Sequence, residues 1–150
     1  MSTHGTSEVA QPTFAGLYGG LAFLVVALTA APFYANTETD TLRITYFSIW
    51  QMLGRSNGGG LDVFSILLLA IMVGLCVRAT IRPVRSVALP LGVTAIALVA
   101  VLMVGLRVGA DRDAALSATG SMLMATGIAA MVLGVGHAIH LTILKARGVL

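Results

Sequence analysis

Two histidines are the only titratable side chains in the longest uncharged stretch of this sequence. His137 and His140 lie three positions apart, which sets them on one face of a helix. Such a pair can ligate a metal ion, or one member can serve as an axial ligand to haem. Ionisable groups at membrane depth are functional candidates by default. The donor set is incomplete, however. No Cys, Asp or Glu stands with the histidines on their own run, and the one further histidine, His4, is in the N-terminal tail. A bis-histidine haem site normally draws its second ligand from another helix. The simpler reading makes His140, about one turn from Lys145, interfacial, and gives His137 a hydrogen bond to a neighbouring helix. The chain contains no G-x-x-x-x-G-K-[ST], H-E-x-x-H, C-x-x-C or G-x-S-x-G. No catalytic residue, metal site or cofactor is therefore expected, with His137 and His140 held as the sole cofactor candidates.

The element carrying the histidines is the run 114–144 between Asp113 and Lys145, 31 residues without Asp, Glu, Lys or Arg. A bilayer core of about 30 Å needs about 20 helical residues, so this run spans with turns to spare. Thr126, Ala130, Gly134 and Ala138 recur on it at four-residue spacing. Small residues so spaced let helix backbones approach closely in lipid, where apolar burial does not drive association.

The whole chain has the same character. Its 150 residues are 57% apolar and 10% charged, with a mean hydropathy of +0.95; soluble domains carry about 25% charged residues. The fold class is an all-α integral membrane protein of four transmembrane helices, too short to add a catalytic domain. The single Cys76 excludes an internal disulfide. The nine Lys and Arg lie at helix ends, which suits topology signals and argues against nucleic acid as a partner.

Residues 1–13 read as a flexible polar tail and 14–150 as one domain, with spans at about 14–34, 61–80, 87–106 and 114–144. The first span holds Gly16 and Gly20 as a G-x-x-x-G packing motif. It is no cleaved signal peptide, because its tail has one Glu and no Lys or Arg. Between the first two spans, Leu42, Tyr46, Ile49, Trp50 and Leu53 mark one face of an amphipathic helix on the outer membrane surface, ending at Gly54 before a Gly-rich hinge. Leu42, Ile44 and Tyr46 also alternate as a strand would. Tyr46, Ile49 and Trp50 are the candidate partner-binding residues, since buried aromatics dominate interface energetics.

Arg78, Arg82 and Arg85 flank Pro83 in a basic turn that either anchors the chain or binds anionic lipid headgroups. Arg107, Asp111, Arg112 and Asp113 crowd another short loop, where the acids suit the N-terminus of span four. With the N-terminus cytoplasmic, Arg78, Arg82, Arg85, Lys145 and Arg147 lie inside, against four basic residues outside. Both termini are therefore expected in the cytoplasm, in the plasma membrane of a bacterium. All nine aromatics fall within the first 64 residues, which assigns them to the outer interface. The methionines at 72, 103, 122, 124 and 131 are expected to fill gaps between spans.

This layout, with S-x-W-Q at Ser48, Trp50 and Gln51 in an aromatic outer loop, resembles small uncharacterised four-helix membrane proteins of actinobacteria. The resemblance extends over the whole chain in layout and implies no activity. Three functions compete. The first is a non-enzymatic accessory or assembly subunit of a larger membrane complex, such as a respiratory one. It binds the lipid bilayer and other membrane subunits, or a further copy of itself. The second is a small oligomeric transporter or channel, although no span carries the embedded Glu of the four-helix multidrug transporters. The third is a haem- or metal-binding protein using His137 and His140; the membrane glutathione-transferase-like family matches in length, but its Glu and Asn within a span are absent. The accessory role fits best.

Overall fold

The computed structural model describes residues 4–32, 34–38, 43–48, 50, 59–106 and 115–148, with side chains at 12–32, 48, 50, 63–106 and 115–148. Four helices dominate it: α1 (His4–Thr29), α2 (Gly59–Ile81), α3 (Ala88–Gly105) and α4 (Ala118–Ala146). Each is long and apolar enough to cross a membrane. At about 1.5 Å per residue, even the 18-residue α3 reaches about 27 Å. Packing follows ring order: α1 on α2, α2 on α3, α3 on α4, and α4 back on α1.

The helices start and stop for identifiable reasons. Helix α1 begins at His4, inside the stretch read above as a flexible tail. Extending an existing helix costs far less than nucleating one, so the apolar part of α1 propagates upstream. It passes through Pro12, whose missing N–H leaves the carbonyl of residue 8 without its helical donor. Helix α3 holds Pro90 in its first turn, where no intrahelical partner is lost. Helix α4 starts at Ala118 because Ser117 caps it: the Ser117 hydroxyl oxygen accepts from the Gly120 N–H at 3.1 Å. Four residues of the uncharged run therefore precede the helix.

The connection between α1 and α2 departs from expectation. Where an amphipathic helix is expected over 41–54, residues 43–47 form a strand: β2 (Arg43–Phe47) pairs antiparallel with β1 (Tyr34–Glu38), and β3 (Ala115–Leu116) pairs with the other edge of β1. Trp50 is helical, and residues 41, 42, 49 and 51–54 fall outside the described residues. The register sets Tyr34 opposite Phe47, Asn36 opposite Thr45 and Glu38 opposite Arg43. Residues 43–47 are β-branched or aromatic apart from the arginine, a composition suited to a pleated surface. A waiting partner strand then decides between the two periods. At the same end, the Ser117 hydroxyl donates to the Pro32 carbonyl at 2.6 Å and ties the exit of α1 to the start of α4.

The core runs along one stripe of every helix: Tyr18, Leu21, Ala22 and Val25 on α1; Leu69, Met72, Cys76 and Ala79 on α2; Pro90, Val93 and Ala97 on α3. On α4 the buried set is Gly120, Leu123, Gly127, Ala130, Gly134, His137, Ala138 and Leu141. Steps alternating three and four average 3.5 residues, the repeat that keeps one seam facing its neighbours in a left-handed bundle. Glycine returns on that seam at every seventh position: 120, 127 and 134. A methyl group at Gly134 would come 2.7 Å from the Pro90 carbonyl oxygen and closer still to Thr94 Oγ1. One at Gly127 would meet the end of Val101. Helix α4 thus presses its glycines onto α3. Thr126 is rotated off the seam, half-buried, and donates its hydroxyl to the Met122 carbonyl.

Outside this stripe the bundle is apolar. Leu17, Phe23, Leu67, Leu102, Val132 and Ile139 are all about half exposed or more. Met122 also faces outward at 62% exposure, whereas Met72 is buried and Met103, Met124 and Met131 are half-buried. Four of the five methionines therefore pack between helices and one does not.

Candidate functional site at the basic end of the bundle

The polar interior of the bundle is concentrated near one end, where the start of α1, the end of α2, the start of α3 and the end of α4 meet. His137 is 3% exposed, and its Nδ1 shares a 3.2 Å hydrogen bond with the hydroxyl of Tyr18, which is fully buried. Phe14, one turn before Tyr18, stacks on the His137 ring with centroids 4.1 Å apart and planes 7° from parallel. His140 reaches the same phenylalanine at 5.6 Å in a tilted arrangement. Helix geometry explains the set: Phe14 and Tyr18 are four apart on α1, His137 and His140 three apart on α4, and each pair shares a face. No buried side-chain nitrogen or oxygen among the described residues lacks a partner.

This arrangement holds His137 in place. A ring with Nδ1 engaged and one face covered has only its Nε2 edge to offer a ligand. Among the described residues no group of three or more His, Cys, Asp or Glu gathers to hold a metal ion. Tyr18 and Phe14 also correct the assignment of every aromatic to the outer interface. They lie in the bundle because a phenol hydroxyl can satisfy the imidazole, while the two rings fill space beside the small-residue seam.

Next to this cluster Thr80 joins α2 to α1. Its hydroxyl is 3.2 Å from the Ala15 carbonyl and 2.9 Å from the Cys76 carbonyl, and a methyl group at Gly19 would touch its side chain at 3.3 Å. Beyond Thr80 the chain turns through Pro83, with Val84 buried beneath. A cleft of about 250 Å³ opens there, bordered by Arg78, Arg82, Arg85, Ser86 and the first turn of α3. On the other side of Pro83 a second cleft, about 240 Å³, is lined by Phe14, Thr80, Arg82 and His137. The structure thus brings the arginine turn and His137 to one end, with Arg82 bordering both clefts.

The other expected positions divide. Ala130, Gly134 and Ala138 lie on the buried seam of α4. Gly16 and Gly20 do not pack against the described residues: among these, a methyl group at either meets nothing within 4 Å. The glycine of α1 that does meet α2 is Gly19, one step round the helix. Tyr46 lies in β2 opposite Ala35, and Trp50 is 54% exposed. Ile49, Arg55, Arg107, Asp111, Arg112 and Asp113 fall outside the described residues.

Tyr18, Phe14, Thr80, Ser117, Gly19 and Gly127 were not among the residues expected to matter. For Gly127 the signal was present in the seven-residue recurrence of glycine. For Ser117 it was a cap residue ahead of an apolar run. Phe14 and Tyr18 carry only their four-residue spacing, which does not name their partner. Comparison with protein-family models, with curated proteins and with solved structures finds no match to this chain.

Proposed function

We propose that this chain is a multi-pass protein of the bacterial cytoplasmic membrane, with both termini cytoplasmic, that acts without catalysis as an accessory or assembly subunit. Insertion is supported by the apolar outer surface of all four helices, far more than the scattered exposure of a soluble monomer. The subunit role rests on one observation: the G-x-x-x-G of α1 is turned away from its own bundle, with open space before Gly16 and Gly20. Such a motif permits close contact between helix backbones in lipid, and no helix among the described residues packs on it. A partner helix, from another subunit or a second copy, fits that face. Trp50, more than half exposed, offers a second, aromatic contact.

The test is the mass of the assembly released in mild detergent. The wild-type chain should run as a complex heavier than the 15.5 kDa protomer. The pair Gly16→Leu and Gly20→Leu should reduce it to the protomer at normal abundance. A wild-type protein that is already monomeric, or a complex unmoved by the pair, would refute this reading.

A further inference from the structure

We propose that the turn between α2 and α3 is a binding site for the phosphodiester headgroup of an anionic phospholipid. The inference rests on the membrane reading above and adds a defined ligand. Arg78 is on the last turn of α2; Arg82, the residue after its end, donates its backbone N–H to the Arg78 carbonyl at 3.0 Å and so stays on the same face, and the turn through Pro83 carries Arg85 back to the same cleft. Each guanidinium presents a planar fork of N–H donors that matches phosphate oxygens in bidentate fashion. All three arginines are exposed. The cleft of about 250 Å³ is of a size to take a phosphate with its immediate ester substituents.

The helix ends at this turn contribute little net field. The C-terminus of α2 carries partial negative charge and the N-terminus of α3 partial positive charge, and they adjoin. Attraction for an anion therefore comes from the arginines. The second cleft, across Pro83, has Arg82 as its only charged lining group among the described residues.

A lipid source is favoured over a free anion by what lies beside the site. Val77 and Ile81 on α2 adjoin Arg78 and Arg82 in sequence and are 41% and 74% exposed; Leu91, one turn into α3, is 50% exposed. Acyl chains running from the cleft along these side chains cover surface that free phosphate leaves bare.

The experiment uses the full chain in nanodiscs of phosphatidylcholine with or without phosphatidylglycerol, reading retained lipid by native mass spectrometry. Phosphatidylglycerol should be retained and phosphatidylcholine lost. Arg85→Gln, which lies outside both helices and does not threaten folding, should weaken retention about fivefold, and the triple Arg78, Arg82, Arg85→Gln variant about 100-fold. Lys145→Gln with Arg147→Gln, at the same end but away from the cleft, should leave it unchanged. Equal loss in that control would reduce the effect to general surface charge and overturn the site. Retention indifferent to headgroup would do the same. Inorganic phosphate displacing the lipid completely would overturn the lipid assignment. Alkaline extraction of vesicles separates the two levels: a chain released from the membrane refutes both proposals, whereas one that stays but keeps no phosphatidylglycerol refutes only this one.

Discussion

The Nδ1 of His137 on α4 and the hydroxyl of Tyr18 on α1 lie 3.2 Å apart, a contact 119 positions apart in sequence. It is the one side-chain hydrogen bond between helices among the described residues in which both partners are buried. Tyr18→Phe removes the hydroxyl but keeps the ring, leaving the imidazole unpaired. In a double-mutant cycle with His137→Phe, unfolding in detergent should give a coupling of about 0.6 kcal/mol, and at most about 1.7. A coupling of zero would mean that the two groups share space without bonding.

Gly134 faces backbone and Gly127 faces a side chain, so the two should respond differently to one added methyl. At Gly134→Ala the Pro90 carbonyl cannot withdraw without moving α3, and stability should fall by about 1–3 kcal/mol. At Gly127→Ala the Val101 methyl can turn aside, and the loss should be smaller. Gly16→Ala and Gly20→Ala should leave the protomer as stable as before. Thermal denaturation of the four variants gives the ranking directly, and a Gly16 loss as large as that of Gly134 would contradict the arrangement of α1.

Ser117 caps α4 and also donates to the Pro32 carbonyl. Ser117→Ala should cost about 1 kcal/mol through the cap, with an added loss from the cross-connection. Ser117→Thr keeps a hydroxyl and should recover most of it. If alanine and threonine behave alike in thermal melts, the hydroxyl is not what fixes the start of the helix.

With both termini cytoplasmic, a cysteine placed by Ser86→Cys in a Cys76→Ala background should resist an impermeant maleimide in intact cells. One placed by Thr39→Cys should react. Reversed labelling inverts the topology, and with it the leaflet assigned to the arginine turn.

His137 and His140 divide by environment. His137→Ala opens a hole beneath Phe14 and should lower abundance, whereas His140→Ala should not. The purified wild-type protein should show no haem absorbance. A Soret band lost in both variants would restore the pair as ligands.

The four helices are legible because long runs without charge end in charges, and that pattern is local. What the sequence left open are the choices that depend on distant partners. Leu42, Ile44 and Tyr46 fit a strand as well as Leu42, Tyr46 and Ile49 fit a helix; the tie is broken by Tyr34–Glu38, whose pairing no short window contains. The small-residue row on α4 was read at four-residue steps from Thr126, and a strict step of four drifts round a helix of 3.6 residues per turn. The seam alternates three and four, so Ala130, Gly134 and Ala138 lie on both paths while Thr126 leaves and Gly127 joins. Tyr18 is one of nine aromatics that all fall within the first 64 residues, and that clustering assigns the whole group to the interface. Only the position of His137, a whole ring away in chain order, gives its hydroxyl a reason to be inside.

That last contact bears on how the molecule is made. Helix α4 closes the ring and leaves the ribosome after the other three helices. Until it arrives, a chain inserted as proposed carries the Tyr18 phenol on α1 with its hydroxyl unsatisfied, and the α3 surface that receives Gly127 and Gly134 uncovered. Nascent chains stalled before residue 117 therefore present a recognisable orphan: three helices with one polar group exposed to lipid. Quality-control proteases and insertion chaperones that sense polarity within the bilayer have a mark on this protein that vanishes only when α4 docks.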